Sequence, residues 1–330
     1  MSTEKLRIDV SVVAPIYNEE ENVERLCTQL HEALSPLKRP YEIILVDDGS
    51  TDRSWETMVA MTHKIPCLRG VRLRRNFGQT AAMSAGFDES RGEVIVTLDA
   101  DLQNDPADIP KLLERADQGF DVVSGWRKDR KDAFLNRRLP SMIANALISK
   151  ITGVHLHDYG CTLKAYHRDV MKNVRLYGEM HRFIPALASW VGGRVDEVVV
   201  NHRPRQFGTS KYGISRTFRV ILDLITVKFL LHYSKGPMQI FGKIGGLFGI
   251  PGLLMFFTMI ATNLSYHAFG TQLGATLIKR PFWIMTSFML IFFGMQFISM
   301  GLLAEMQIRT YHESQNKATY VIRETVESPS

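Results

Sequence analysis

Acidic side chains directly follow two of the short apolar runs in the first hundred residues. Asp47 and Asp48 come after the second run, and Asp99 and Asp101 come after the fourth. An Asp-x-Asp pair at the end of a strand projects two carboxylates from one loop, at a spacing that lets them share a divalent cation with substrate phosphates. The tripeptide alone is a weak signal, because acidic turn residues after strands are common. Its value depends on its position and on its neighbours.

A nucleotide is the ligand that these neighbours favour. It needs side chains for the edge of its base and for its ribose, and Glu19, Asp47 and Asp48 lie at neighbouring strand ends where they can provide both. The chain contains neither GxGxxG nor GxxxxGK[ST], so the dinucleotide-cofactor and Walker-type phosphate sites are excluded. The remaining way to bind a nucleotide diphosphate is through a metal ion.

The elements that must position these residues alternate along the first 125 residues. Short apolar runs and amphipathic segments follow one another, which is typical of βα units around a mostly parallel sheet. The predicted strands are 8–14, 41–46, 68–73, 94–98 and 122–124, and the predicted helices are 19–34, 51–63, 78–90 and 106–118. In such a sheet, ligands bind beyond the carboxyl ends of the strands. Residues 126–210 are interpreted as loops and helices that complete the same α/β domain.

Composition sets limits on the partners and on the compartment. The net charge of +6 suits an anionic partner, whether nucleic acid, phosphorylated substrate or acidic membrane surface, and does not choose among them. Cys27, Cys67 and Cys161 lack the spacing of a disulfide framework or a zinc site, which favours a reducing compartment. The N-terminus shows no cleavable signal peptide, so we expect the catalytic part to begin in the cytoplasm.

An amphipathic segment precedes two uncharged stretches in the last third of the chain. Residues 214–233 carry an apolar stripe at helical spacing, which favours a helix in the membrane interface; a surface helix packed on the soluble core is the alternative. Residues 244–264 and 281–304 contain no charge, and each stretch reaches the roughly 20 residues that span a bilayer. Two transmembrane helices are therefore predicted.

Flanking charges and small residues refine this membrane prediction. Lysines precede the first span and basic residues lie in the tail, so both termini are expected inside, with the hairpin around Thr271 on the opposite side. Two overlapping GxxxG spacings, at 242/246 and 245/249, predict self-association to a dimer or tetramer. The predicted divisions are a catalytic domain at 1–212, an interfacial helix at 213–237, a two-span hairpin at 238–305 and a cytoplasmic tail at 306–330.

Four ordered motifs resemble those of a known enzyme family. PIYNEEENV, VDDGSTD, RNFGQTAAMSAGF and LDADLQNDP, in this order, resemble the GT-A fold of family 2 glycosyltransferases. The later DYGCTLKAYHR and FGTSKY, followed by a two-span anchor, resemble the branch that makes dolichyl- or undecaprenyl-phosphate sugars. The resemblance implies inverting transfer of a single sugar from a nucleotide-diphosphate sugar, with a UDP-hexose favoured, to polyprenyl phosphate. It also implies an integral membrane protein, with the bacterial inner membrane favoured.

The same resemblance assigns roles to individual residues. It implies a nucleotide-sugar pocket lined by Pro15, Tyr17, Glu19, Asp47, Asp48, Asn76, Gly78 and Asp99. It implies a metal site for Mg²⁺ or Mn²⁺ at Asp99, Asp101 and Gln103. It implies an acceptor-phosphate site at Arg127, with Arg137 or Arg138, Arg205 and Lys211 completing it. The catalytic residues would be Asp99, Asp101, Arg127 and Asp158.

The chemistry of a phosphate acceptor leaves the role of Asp158 open. A phosphate monoester is largely deprotonated at neutral pH, so no dedicated general base is required. Asp158 can bind sugar hydroxyls, orient Lys164 or Arg127, or act as a base, and the first two roles are favoured. Direct displacement predicts inversion at the anomeric carbon.

Two other functions are alternatives for this sequence. A processive polysaccharide synthase on the same fold usually carries a QxxRW motif and more membrane spans, and neither is found in this sequence. A non-catalytic scaffold or transporter subunit would not need the Asp-x-Asp motif with Gln103, and the predicted spans contain no charge that would mark a transport path. We expect no nucleic-acid partner. The sugar stays open among UDP-glucose, UDP-galactose, UDP-aminosugars and GDP-mannose.

Overall fold

The computed structural model describes most of the first 204 residues and selected later segments. The described residues are 7–128, 139–174, 176, 178, 180–204, 224–228 and 319–328, with single positions between 261 and 310; side chains of 139–144 are not included. The chain divides into two compact units. One comprises Met1–Leu231 with Ala318–Ser330, and the other comprises His232–Lys317.

An eight-stranded mixed sheet forms the centre of the first unit. The strands are β1 (Val10–Ile16), β2 (Tyr41–Asp47), β3 (Leu68–Leu73), β4 (Val94–Thr97), β5 (Val122–Trp126), β6 (Lys164–His167), β7 (Val195–Val199) and β8 (Ile322–Glu327). Their order is β7-β5-β6-β4-β1-β2-β3-β8. Strands β6 and β8 run antiparallel to their neighbours, and the other neighbouring strands pair in parallel.

Seven α-helices lie between residues 20 and 190 in the described part of this unit. They are α1 (Glu20–Leu34), α2 (Ser54–Thr62), α3 (Gln79–Glu89), α4 (Ile109–Asp117), α5 (Leu139–Thr152), α6 (Arg168–Met171) and α7 (Ile184–Trp190). A 3₁₀ turn, Pro106–Asp108, leads into α4, and another, Met180–Phe183, leads into α7. The expected βα alternation is therefore confirmed as far as β5.

Helices cover both faces of the central strands, which explains why those strands are apolar throughout instead of alternating. Val12 packs with residues of α1 and α4 in one buried cluster, whereas its neighbour Val13 packs with residues of α3 in another. Helix α3 approaches β1 closely at Gly86, where a Cβ atom would lie 2.2 Å from Cγ1 of Val13. Only glycine fits at this contact without a shift of the helix or the strand.

Three strands were missing from the sequence prediction. The sequence predicts loops and helices for residues 126–210, but they also contain β6 and β7. Strand β6 is inserted antiparallel between β4 and β5, where Ala165 pairs with both Val96 and Val123. The predicted tail includes residues 322–327, but they form β8 at the edge of the sheet beside β3. Each of these strands is only four to six residues long, too short for a clear period.

Part of the predicted interfacial segment packs on the soluble core. Residues 224–228 are helical, and Leu224 and Val227 are buried in a cluster that includes Met83 and Phe183. Ile225, which belongs to the predicted apolar stripe, is 49% exposed. The alternative interpretation, a helix packed on the core, therefore applies to this turn. The rest of 213–237 lies outside the described residues.

The membrane spans fall almost wholly on residues that the structure does not describe. Among the helices it does describe, none combines the length and the apolar composition that crossing a bilayer requires. The spans predicted at 244–264 and 281–304 thus stay predictions.

Candidate active site

The loops that carry the acidic motifs meet at one edge of the sheet. Strands β1, β2, β3 and β4 are parallel, so their carboxyl ends point the same way. Strand β5 runs antiparallel to β6, as β4 does, and therefore ends at the same edge. The predicted residues after all five strands are consequently brought together, as expected for an α/β sheet.

Asp47 and Asp48 organise the loops at the ends of β2 and β3. Oδ1 of Asp47 accepts a hydrogen bond of 2.9 Å from the backbone N–H of Ser50, and Oδ2 lies 3.2 Å from Nε of Arg72. The Asp48 carboxylate accepts hydrogen bonds from the N–H groups of Phe77 (2.7 Å) and Gly78 (2.9 Å). Burial raises the pKa of Asp48, and these two hydrogen bonds partly oppose that rise. Asp48 thereby fixes the loop that precedes α3.

The loop after β1 is tied to the loop after β2. Asn18 has φ of 53°, and its N–H donates to Oγ of Ser50 (3.0 Å) while its side-chain oxygen accepts from the N–H of Thr51 (2.8 Å). The adjacent Tyr17 ring is 36% exposed. Glu19 accepts a hydrogen bond of 2.6 Å from the Asn22 side chain. Pro15 is partly exposed, so these residues lie together at the carboxyl end of β1.

Two close carboxylates follow β4. Nε2 of Gln79 donates to Oδ1 of Asp99 over 2.7 Å, and Oδ1 of Asp101 accepts from the N–H of Gln103 over 3.1 Å. The pKa of Asp99 is raised, chiefly by burial and next by the charge of Asp101. A hydrogen bond from Thr162 and the charges of Arg127 and Arg182 lower this pKa in part. A bound cation would relieve the repulsion between the two carboxylates.

The donor set fits a cation that is completed by its substrate. Among the described residues, no cluster of three or more His, Cys, Asp or Glu side chains could hold a metal ion. A closed protein cage of the zinc type is therefore not formed by the described part of the chain. Mg²⁺ commonly uses one or two carboxylates together with substrate phosphate oxygens, and Asp99 and Asp101 supply such a pair.

Arg127 and Asp158 form a fork-to-fork ion pair beside this loop. Nε of Arg127 donates to Oδ2 of Asp158 (2.7 Å), and its Nη2 donates to Oδ1 (3.0 Å). Oδ1 of Asp158 also accepts from the N–H of Gly160 (3.1 Å). Burial disfavours the guanidinium charge, but the carboxylate outweighs it, so the pKa of Arg127 is raised. The pair therefore holds the guanidinium in one orientation.

A second contact, which we call the brace, lies next to this pair. It consists of Trp126, His157 and Glu197. The Trp126 and His157 rings stack with centroids 4.1 Å apart and an interplanar angle of 14°. Glu197 accepts from the N–H of His157 (2.9 Å) and contacts its Nδ1. Because Trp126 and His157 directly precede Arg127 and Asp158, the brace holds both segments that carry the ion pair.

Lys164 is buried at the start of β6 and contacts the backbone of the loop that carries Asp158. Its ammonium group donates to the carbonyl oxygen of Tyr159 (3.0 Å) and also to that of Cys161. Burial lowers the pKa of Lys164 to about 8. The sequence leaves open that Asp158 orients Lys164; in the structure the Lys164 ammonium binds backbone carbonyl oxygens of the loop that carries Asp158.

Sequence reasoning did not single out Gln79, His181 and Arg182 as site residues. Nδ1 of His181 lies 2.7 Å from Oγ1 of Thr80, in the first turn of α3, so the turn Met180–Phe183 is fixed beside Gln79. The positive charge of Arg182 acts on Asp99. Gln79 lies within a recognised motif, but the sequence around 180–183 has no spacing that would reveal a site.

The structure places only part of the predicted acceptor site. Arg127 is described, whereas Arg137, Arg138, Arg205 and Lys211 lie outside the described residues. Asn76 is exposed, and Gly78 adopts φ of 96° at the start of α3. The predicted donor-side residues therefore gather at the sheet edge, while most of the acceptor side stays a prediction.

Comparison with known proteins gives matches along the whole chain. The family described as Glycosyl transferase family 2 matches residues 11–175. The dodecaprenyl-phosphate galacturonate synthase of Rhizobium johnstonii is 44% identical over 98% of this chain and 94% of that protein. The undecaprenyl-phosphate 4-deoxy-4-formamido-L-arabinose transferase of Pseudomonas paraeruginosa is 37% identical over 96% of this chain and 90% of that protein.

Solved structures share the fold at low sequence identity. Glucosyl-3-phosphoglycerate synthase from Mycobacterium tuberculosis, in complex with Mn²⁺, UDP and glucosyl-3-phosphoglycerate, superposes with a TM-score of 0.53 at 17% identity. The match covers 70% of this chain and 84% of that one. The same enzyme with Mg²⁺ and UDP gives a TM-score of 0.52 at 18% identity. These likenesses establish the GT-A type of α/β fold.

Proposed function

The chain belongs to glycosyl transferase family 2, and from this premise we propose that it transfers a single sugar from a nucleotide-diphosphate sugar to a polyprenyl phosphate. One observation carries the proposal. Over nearly the whole length, the chain resembles enzymes named for a sugar on dodecaprenyl or undecaprenyl phosphate. The Asp-x-Asp loop and the Arg127–Asp158 pair lie at the sheet edge where such a reaction would need them.

The donor side is proposed to comprise the loops after β1, β2 and β4. Tyr17 and Glu19 would contact the nucleotide, with Asp47 and Asp48 shaping the loops around it. Asp99 and Asp101, with Gln103 beside them, would hold Mg²⁺ or Mn²⁺, which supplies positive charge to the departing diphosphate. The metal-bound complexes of structural neighbours support this assignment.

Arg127 is proposed to orient the phosphate of the acceptor. A guanidinium presents donors that match phosphate oxygens, and its fork to Asp158 fixes the plane from which they point. A phosphate oxygen forms the new bond to the anomeric carbon, and the bond from that carbon to the diphosphate breaks with its electron pair going to the nucleotide. The nucleophile enters ionised, so Asp158 need not accept a proton. The configuration at the anomeric carbon inverts.

The membrane anchor and assembly are part of the same proposal. A polyprenyl acceptor resides in a bilayer, and the uncharged stretches 244–264 and 281–304 would place the enzyme there with its catalytic domain in the cytoplasm. The two GxxxG spacings at the start of this region, 242/246 and 245/249, support a dimer or tetramer.

A panel of donors tests the proposed reaction and identifies the sugar. The full-length protein in detergent is incubated with undecaprenyl phosphate, Mg²⁺ and one donor at a time: UDP-glucose, UDP-galactose, UDP-galacturonate, UDP-4-deoxy-4-formamido-L-arabinose or GDP-mannose. Mass spectrometry of the lipid fraction is expected to show the mass of one glycosyl residue added, with one donor preferred. Reactions without lipid provide the control for donor hydrolysis.

Two outcomes would contradict the proposal. A ladder of products with increasing sugar number would indicate a processive synthase. Donor consumption that does not depend on the lipid, with a product formed on a soluble phosphate such as 3-phosphoglycerate, would place the chain with its structural neighbours instead of its sequence relatives.

A further inference from the structure

We propose that the C-terminal strand β8 positions the loops that would contact the nucleotide. The positioning residues are Val321, directly before the strand, and Glu324, within it. The inference rests on the proposed function, because it concerns how the donor pocket of that enzyme is held in shape. Strand β8 pairs antiparallel with β3, from Ile322 beside Leu73 to Glu327 beside Arg69. Its first residues consequently lie at the carboxyl end of β3, where the site is.

The first connection runs through the backbone. The N–H of Arg74 donates to the carbonyl oxygen of Val321 over 2.9 Å, so β8 fixes the residue that opens the loop between β3 and α3. Four residues further on, this loop gives the N–H of Gly78 to Asp48. The loop is therefore held at one end by β8 and at the other by a predicted nucleotide-pocket residue.

The second connection is a chain of charges. Oε1 of Glu324 lies 3.3 Å from Nη1 of Arg72, and Nε of the same guanidinium lies 3.2 Å from Oδ2 of Asp47. The guanidinium carbon also lies 5.4 Å from the Trp55 ring centroid. Asp47 is fully buried and orders the turn at Ser50. Glu324 therefore acts on the site through Arg72, whose position decides how the Asp47 carboxylate is oriented.

At the other end of β8, Glu327 makes contacts away from the site. Oε1 of Glu327 accepts from Nε of Arg69 (2.7 Å) and from Nη2 of Arg91 (2.8 Å). Arg69 also pairs with the buried Glu42. These contacts lie at the amino end of β3, on the opposite edge from the site. They do not reach the loops at the carboxyl ends of β2 and β3, so Glu327 is a matched control for Glu324 on the same element.

The order of the chain gives this arrangement a consequence. Strand β8 follows residues 232–317, the stretch that contains the two predicted spans. The donor pocket is thus complete only after that whole stretch has been made and the chain has returned to β3. Loss of the last eleven residues should impair the donor site, although every predicted donor-contact residue lies before residue 104.

Hydrogen exchange tests this coupling without any substrate. We compare the full-length protein with a chain that ends at Thr319 and with one that ends at Ser328, which keeps β8. In the shorter chain, amides in 74–80 and 48–52 are expected to exchange at least about tenfold faster, because their anchors are lost. The chain that ends at Ser328 should match the full-length protein.

Point variants on the strand keep the test decisive if the shorter chain does not fold. Glu324→Gln should raise KM for the nucleotide sugar about two- to fivefold, the range for a partly exposed ion pair, and leave KM for the lipid unchanged. Glu327→Gln should leave the donor KM unchanged. Glu324→Asp, which keeps the charge, should have a donor KM between that of the native protein and that of Glu324→Gln.

Equal effects of the two glutamine variants on donor KM, or unchanged exchange in 48–52 and 74–80 after loss of β8, would overturn the inference. The exchange result stands by itself if the protein transfers no sugar to polyprenyl phosphate. In that case the proposed function fails, while faster exchange on loss of β8 would still establish that the strand positions these loops.

Discussion

Charged groups at the candidate site are each held in one orientation by a hydrogen-bonding partner. Asp158 fixes the Arg127 guanidinium, and Gln79 fixes one oxygen of Asp99. The charge of Asp101 raises the pKa of Asp99, and a cation held by the two carboxylates would relieve their repulsion. Each residue is thus positioned before a substrate arrives, which is the general requirement for electrostatic stabilisation of a transition state.

Replacement of Asp101 by Asn is expected to lower turnover by orders of magnitude. The change removes one of two carboxylates that would hold the cation but keeps the shape of the side chain, including its acceptor for the N–H of Gln103. Turnover is measured with and without EDTA, and circular dichroism checks the fold. Asp117→Asn, at an exposed carboxylate on α4, is the matched control. Full activity of Asp101→Asn in EDTA would contradict the metal assignment.

Lys164 predicts a pH dependence of stability. Its pKa is lowered to about 8 in the folded state, against about 10.4 in an unfolded chain. Between these values the unfolded state binds more protons, so stability should rise with pH across this window. The gain should approach about 3 kcal/mol and should be absent in Lys164→Met.

Thermal unfolding of the full-length protein from pH 7 to pH 10.5 measures this effect. The Tm of the native sequence minus the Tm of Lys164→Met is expected to rise above pH 8. Lys172→Met, at an exposed lysine paired with Asp169, provides the control and should show no such trend. A constant difference between the native sequence and Lys164→Met across the range would mean that the ammonium is not desolvated in the fold.

Short elements around the sheet determine how the predicted acceptor residue Arg127 is oriented. Strand β5 ends at Trp126, and β7 lies beside it, with Ser124 opposite Glu197. This register brings Glu197 to His157, and the stacked rings then fix the loop that carries Asp158. The brace therefore connects a strand on the sheet edge to the Arg127–Asp158 pair.

Removal of the brace should impair use of the lipid more than use of the donor. His157→Ala eliminates both the stacking on Trp126 and the contact with Glu197, and we expect kcat/KM for polyprenyl phosphate to fall about tenfold, equivalent to roughly 1.4 kcal/mol. His157→Phe keeps the stacking and should recover much of the loss. His155→Ala, at an exposed histidine nearby, is the control. An equal rise in donor KM would show that the brace affects the donor side as much as the acceptor side.

At the scale of the whole molecule, the catalytic unit is assembled from two separated parts of the chain. Residues 1–231 and 318–330 form one compact unit, and 232–317 form another. With both predicted spans in the second unit, the two chain segments that connect it to the first should emerge on the same side of a membrane. Strand β8 joins the sheet after the second of these segments.

Cysteine labelling tests this topology. Thr271→Cys, in the predicted hairpin, should react with a membrane-impermeant maleimide only from the side opposite the catalytic domain. Lys38→Cys, exposed in the catalytic domain, reports the other side. Both are made with Cys67 replaced by Ser, because Cys27 and Cys161 are already buried. Reaction of both positions from the same side would contradict the hairpin.

The sequence by itself determined the local features of this protein. The strands β1 to β5 and the helices α1 to α4 lie within about three residues of their predicted bounds, since apolar runs and cap residues are local signals. The motifs also placed Asp47, Asp99 and Arg127 at strand ends, because parallel strands bring their carboxyl ends to one edge. The family followed from motifs in order.

Only the tertiary structure decided which side chains meet across long sequence separations. Arg127 and Asp158 are 31 residues apart, and Arg72 and Glu324 are 252 apart. Such pairs depend on strand register and on how loops close over the sheet, and neither has a signature within a window of sequence. The three missed strands are short and gain their stability from neighbouring strands, not from their own pattern. For β8, a charged and mostly exposed segment, that neighbour is β3.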